Sequence, residues 1–302
     1  MNLTKILENS PLVLLLALIL AFFFPEFAKG KNILIIVALF IAMSFSLTQL
    51  EISIAKIRKV FSKALKLFLV NYGFLSSLIL ILTFLLISND SHRKGLIILA
   101  SMPPAVAVIP FTYLLKGEIN VALVSEALCY ILAIFMAPLI MFLFLKAEID
   151  SWLMVNSLIC FIVIPFAFSR FLMKFDPISK YRKIVVNLSL AVVTYMIIAL
   201  NVEEILADGI LAVIFIMFFR TFISGIFSYK LAKRFVLEEE ARTISLFSAY
   251  KNSGLAATIA LILFDVRAAL PAALSSIFEI LYVIWFMKIL KKSDFYSSSN
   301  AR

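Results

Sequence analysis

Ten stretches of this 302-residue chain are apolar for the length of a bilayer crossing, near 11–28, 33–50, 64–88, 95–115, 119–146, 150–173, 182–203, 207–231, 240–264 and 266–289. A helix needs about 20 such residues to cross hydrocarbon. Membrane strands alternate in polarity over about ten residues, and these runs do not alternate. With no water inside the bilayer, each run must satisfy its own backbone and is expected to be helical. The predicted fold class is therefore all-α, a polytopic membrane protein of ten transmembrane helices. Composition agrees, with 64% of residues hydrophobic and 15% charged, against about 45–50% and 25% in soluble domains. The first run opens at Pro11 and closes at Pro25-Glu26 without a signal-peptide cleavage pattern, so it reads as a mature span.

The net charge of +10 is explained by topology. In a soluble chain such an excess points to nucleic acid, but no nucleic-acid partner is expected here. Numbering the loops by the ten spans puts twenty Lys and Arg on one side and six on the other. By the positive-inside rule both termini face the cytoplasm of a multi-pass cell-membrane protein. The stretch 51–63 (EISIAKIRKVFSK) is too charged to span and reads as an amphipathic helix on the inner surface. Residues 293–302 are expected to be a disordered tail. Cys129 and Cys160 fall inside spans without CxxC spacing and are read as buried apolar thiols. The only histidine, His92, lies between spans, so no metal site and no cofactor are expected.

Ten spans divide into two halves of five. Since five is odd, homologous halves have opposite orientation, an inverted-repeat architecture common in transporters. The fourth span of the first half carries Pro103-Pro104 and Pro110, and the fourth of the second half carries Asn252-Ser253-Gly254. Both are helix breakers deep in a membrane segment. Paired breaks at corresponding positions point to a transport site.

Several stretches carry a family resemblance. PLVLLLALILAFFFPEFAKG (11–30), AMSFSLTQLEISIAKIRKV (42–60), ASMPPAVAVIPFTYLLKGEINVAL (100–123), EARTISLFSAYKNSGLAATIAL (240–261) and ALPAALSSIFEILYVIW (269–285) resemble, in order, segments of the bile acid:sodium symporter family. The resemblance covers essentially the whole chain. It implies a single membrane unit of two parts, a panel domain (about 11–50 and 150–203) and a core domain (about 64–146 and 207–289). Broken helices 4 and 9 would cross at the centre, beside a crevice for small organic anions. The related arsenite exporters carry a thiol in the fourth helix, where this chain reads Ala100-Ser101-Met102, so arsenite export is not expected.

The family's sodium ligands map here onto residues that are mostly unfit for sodium, a hard cation that needs several oxygens. The fourth-helix Ser-Asn pair falls on Val108 and Ile109, one fifth-helix hydroxyl on Ala122, the next on Glu126, the ninth-helix Glu on Phe247 and a Gln on Lys251. The polar residue of the third helix falls on Asn71. The resemblance thus implies that a Lys251 ammonium replaces sodium and pairs with Glu126, because isolated intramembrane charges are costly and usually functional. Arg220 and Glu279 are two further charges within spans; they either pair or, for Arg220, meet an anionic substrate. Thr112, Asn252 and Ser253 complete the candidate substrate-binding set, with stabilisation of the helix break as the alternative for Asn252 and Ser253. The expected partners are the lipid bilayer and a small organic anion; sodium is not expected, and a transported proton is left open.

The expected function is secondary transport of a small organic anion or amphipathic solute by alternating access, independent of sodium. Two readings stand beside it: a sodium-coupled symporter, and a membrane sensor or scaffold on the same fold. An enzyme is not expected, since the chain has no GxSxG, HExxH or Walker pattern.

Overall fold

The structure, a computed structural model, describes residues 3–49, 54–105, 107–145, 151–174, 177–205 and 210–299. Its elements are helical: α1 (Leu3–Leu7), α2 (Ser10–Phe23), α3 (Ile33–Ser46), α4 (Ile54–Phe68), α5 (Ser76–Leu86), α6 (Asp90–Ser101), α7 (Val108–Leu114), α8 (Ile119–Leu145), α9 (Ser151–Leu158), α10 (Ile164–Leu172), α11 (Pro177–Leu200), α12 (Val202–Ile205), α13 (Ile210–Phe218), α14 (Ser224–Ala232), α15 (Glu238–Phe247), α16 (Ser253–Leu263) and α17 (Val266–Ser299). Wide π turns join α4 to α5 (Leu69–Leu75), α9 to α10 (Ile159–Val163) and α13 to α14 (Phe219–Ile223). Among the described residues, six continuous helices are long and apolar enough to cross a membrane. The outer surface carries large apolar side chains, with Phe23 75%, Leu211 75% and Phe135 70% exposed. A water-soluble monomer does not sustain such a surface, whereas hydrocarbon accepts it. The protein is a polytopic membrane protein.

Proline and glycine shape the helices that matter most. Pro103 and Pro104 donate no backbone hydrogen bond, so α6 stops at Ser101 and the chain resumes as α7 only at Val108. The companion break runs from Ser248 to Asn252. Asn252 caps α16 by accepting a hydrogen bond from the Leu255 N–H at 3.0 Å. Gly95 lets α6 approach α17, since a Cβ there would sit 2.0 Å from the Ala268 carbonyl oxygen.

Residues 54–63 are helical and amphipathic as expected, but α4 extends to Phe68 and runs through the π turn into α5, packing on α8 while Lys63 and Lys66 reach Glu118 and Glu240. The part of that expectation on residues 51–53 lies outside the described residues. The tail expected to be irregular from residue 293 is helical as far as Ser299, the end of α17; residues 300–302 lie outside the described residues. Cys129 is buried as expected, but Cys160 is exposed on the outer surface.

α2, α3, α10 and α11 pack on one another, and α4 to α8 pack with α14 to α17. Between α2, α3 and α11 on one side and α7, α16 and α17 on the other lies a cavity of about 700 Å³.

Candidate functional site

The two helix breaks meet. The Asn252 N–H donates to the Pro103 carbonyl at 2.7 Å, joining the α15–α16 break directly to the α6–α7 break. Each break frees carbonyls that need donors in a low-dielectric interior. Pro104 has no N–H for the Ala100 carbonyl, and Ser76 Oγ donates to it at 2.7 Å. Ser224 Oγ donates to the Ser248 carbonyl at 2.6 Å. Asn71 Nδ2 donates to the carbonyls of Phe247 (2.8 Å) and Tyr250 (2.9 Å). Arg220 Nη1 donates to the Ala249 carbonyl at 3.0 Å.

Lys251 lies at this junction and is completely buried. Its ammonium donates to Asn71 Oδ1 (2.9 Å), Ser76 Oγ (2.8 Å) and the Met102 carbonyl (2.9 Å). An ammonium has three donors, so this set is full. The Asn71 amide is oriented by the same network: both N–H groups go to carbonyls, which turns its oxygen to the lysine. The Tyr72 ring lies 4.4 Å from Nζ and adds a cation–π contact.

The pairing of Lys251 with Glu126 expected from sequence is not made. Glu126 is completely buried, and neither carboxyl oxygen has a hydrogen-bond partner among the described residues. The reason is local: one backbone carbonyl freed by the break and two side-chain oxygens from the third span already fill the ammonium's donors.

The second buried charge pair does form. Arg220 Nη2 lies 2.7 Å from Glu279 Oε1 and also donates to Ser275 Oγ. Glu279 Oε1 further accepts from Ser275 Oγ at 3.1 Å and from the Lys251 backbone N–H at 3.1 Å. The other carboxyl oxygen accepts from Ser253 Oγ at 3.4 Å. Glu279, Asn252 and Ser253 line the cavity, together with Met43, Phe111 and Tyr250; Arg182 and Lys183 line it too. Arg220 does not line it and sits behind Glu279, so it meets the carboxylate rather than a bound solute. Thr112 is likewise withdrawn, because its hydroxyl donates to the Val108 carbonyl of its own helix at 2.8 Å and is fully buried.

Of the sequence candidates, Lys251 and Asn71 are brought into contact, Arg220 and Glu279 are paired, and Asn252 and Ser253 reach the cavity; Glu126 and Thr112 stand apart. Ser76, Ser275, Tyr130 and the Met102 carbonyl were not anticipated. The Tyr130 hydroxyl accepts from Asn252 Nδ2 at 2.6 Å. The signals for Ser76 and Met102 were present: a hydroxyl one helical turn past Asn71, and a carbonyl immediately before a Pro-Pro break.

Val108, Ile109, Ala122 and Phe247, onto which the resemblance places sodium ligands, are buried and apolar. The family model described as the SBF-like CPA transporter family matches residues 9–285, in agreement with the resemblance read from the sequence. Comparison with curated proteins found no match.

Proposed function

Because this chain belongs to the SBF-like CPA transporter family, we propose that it is a sodium-independent secondary transporter in which Lys251 replaces a bound cation. The observation that carries this reading is the oxygen cage of the Lys251 ammonium at the crossing of the two breaks. Two side-chain oxygens and one freed carbonyl at 2.8–2.9 Å hold the tethered ammonium in the neighbourhood where the resemblance places a bound cation.

The substrate on this reading is a small organic anion or amphipathic solute. Apolar walls suit its body, Arg182 and Lys183 supply positive charge, and the free face of Glu279 with Ser253 offers polar anchors. Alternating access would move the α2, α3, α10, α11 group against the remainder, as panel and core. Ten spans in two inverted halves, both termini cytoplasmic, complete the proposal. An internal repeat is supported by Ser76 and Ser224, which both follow a π turn and both donate to a carbonyl 24 residues on at the end of a half-helix.

The test uses the reconstituted protein. Uptake from a panel of organic anions should proceed equally with sodium or choline as the external cation, and a strict requirement for a sodium gradient refutes the reading. Wild-type thermal stability should not differ between sodium chloride and choline chloride. Lys251→Gln should acquire a sodium response, about 1.4 kcal/mol at ten times a dissociation constant.

A further inference from the structure

The cavity between the two groups of helices carries charge of both signs, and the signs are separated. Four formally charged side chains line it, Glu8, Arg182, Lys183 and Glu279, so their sum is zero. Three of them share one end. The Asn187 amide donates to the Leu7 carbonyl at 2.8 Å and its oxygen accepts from Ser10 Oγ at 2.7 Å, which sets Glu8 beside the first turns of α11. Asn187 is one turn past Lys183. Glu8 offsets one of the two cations there and leaves that end with a net positive charge. Arg182 Nε is buried at this end without a hydrogen-bond partner among the described residues. A guanidinium is a fixed fork of donors that matches a carboxylate, and an unfilled buried donor in a cavity wall calls for a ligand.

Glu279 stands alone at the other end. Leu190 Cδ2 lies 3.7 Å from where a Cβ on Gly254 would sit. Gly254 follows Ser253, whose hydroxyl donates to Glu279 Oε2 at 3.4 Å. Leu190 therefore marks the level of this carboxylate on α11, and the eight residues back to Arg182 span about 12 Å of helix. Arg220, Ser275 and the Lys251 N–H are all directed to Oε1. That leaves Oε2 with Ser253, both residues belonging to the cavity wall. Phe111 and Tyr250, with ring centroids 5.7 Å apart, line the same cavity, and the Tyr250 hydroxyl donates to the Glu279 backbone carbonyl. A carboxylate oxygen close to aromatic rings attracts an ammonium and repels a second carboxylate.

We propose that the solute of the transport reading above, on which this inference rests, is a zwitterion, with a carboxylate for Arg182 and an ammonium for Glu279 Oε2 joined by an apolar chain. Leu39, Met43 and Leu190 line the stretch between the two ends and suit methylene groups. A plain organic anion fills Arg182 but gives Glu279 Oε2 no donor, and a plain amine does the reverse. A zwitterion serves both and brings no net charge into a low-dielectric interior, where net charge is costly. The simplest molecule of this class is an ω-amino carboxylate with its ends roughly 10 Å apart, close to the rise of α11 between the two levels.

The experiment is calorimetric titration of the full chain in nanodiscs, in choline buffer, with empty nanodiscs subtracted. The probes are ω-amino carboxylates from 4-aminobutanoate to 12-aminododecanoate, each set against the carboxylate and the amine of the same chain length. An intermediate length should bind best, and removing either charged group from it should weaken binding about tenfold or more. In Arg182→Gln the amino carboxylate should bind no better than the matching amine. In Glu279→Gln it should bind no better than the matching carboxylate. Should Glu279→Gln fail to fold without its partner for Arg220, the wild-type comparison and Arg182→Gln still decide. A plain carboxylate that binds as tightly as its amino counterpart, an Arg182→Gln protein that keeps the wild-type preference, or no binding at any length overturns the proposal. Binding here needs neither a gradient nor sodium. A sodium requirement in the flux assay would therefore remove the sodium-free reading and leave a charge-selective cavity standing, while sodium-independent uptake of plain carboxylates alone would do the opposite.

Discussion

Replacing Arg220 by Met tests the buried architecture behind the cavity. Arg220 is fully buried and donates to Glu279, Ser275 and the Ala249 carbonyl. Removing it strands the Glu279 carboxylate without a counter-charge, at a cost of about 3–5 kcal/mol. The Ala249 carbonyl loses its donor as well, worth about 1–3 kcal/mol. Local relaxation offsets part of that total, leaving about 4 kcal/mol. At roughly 2–4 °C per kcal/mol for a chain of about this size, the midpoint of thermal unfolding should fall by about 10 °C. The double variant Arg220→Met/Glu279→Met removes both charges at similar volume. Such replacements are often neutral, so at least half of the loss should return. The assay is thermal unfolding in nanodiscs for wild type, both single variants and the double, read as a double-mutant cycle. An Arg220→Met protein within about 1 kcal/mol of wild type, or a double variant no more stable than the single, would refute the argument that this pair is mutually neutralising.

Two further outcomes follow from packing and from charge outside the membrane. Gly95→Ala should destabilise by about 1–3 kcal/mol because α6 and α17 must separate, whereas Gly73→Ala, whose Cβ meets nothing within 4 Å, should be neutral or slightly stabilising; unfolding midpoints compare the two. Burial pushes the Glu238 carboxyl up, but hydrogen bonds from Arg242 and Tyr229 outweigh it and hold the group below its ordinary 4.5. Its stabilising contribution is therefore complete above that value and is lost as pH falls through the folded pKa, so a pH series of melting curves should show a smaller acid-side decline in Glu238→Gln.

Much of the site was legible because backbone chemistry announces itself. Proline lacks a donor wherever it sits, so Pro103-Pro104 had to end a helix, and Asn252-Ser253-Gly254 marked the second break. Intramembrane charge is rare enough that Lys251, Arg220, Glu126 and Glu279 stood out at once, and the Arg220–Glu279 pair was among the stated alternatives. The choice of partner for Lys251 was not legible. Glu126 was the natural counter-charge, yet the ammonium binds two side-chain oxygens from the π turn and the start of α5, and a carbonyl of the α6–α7 break. Thr112 shows the same limit, since a hydroxyl in a helix can be spent on its own backbone.

The apolar runs and their breaks by themselves determined that this chain is helical, lies in a membrane and is interrupted at two places, because those properties follow from local covalent chemistry and from the absence of water in hydrocarbon. Only the tertiary structure decided which freed carbonyl meets which donor, that the two breaks touch at Asn252 and Pro103, and that the lysine is satisfied while the glutamate is not. Hydrogen bonds act over about 3 Å, and no one-dimensional spacing brings residues 180 positions apart, such as Asn71 and Lys251, to within that distance.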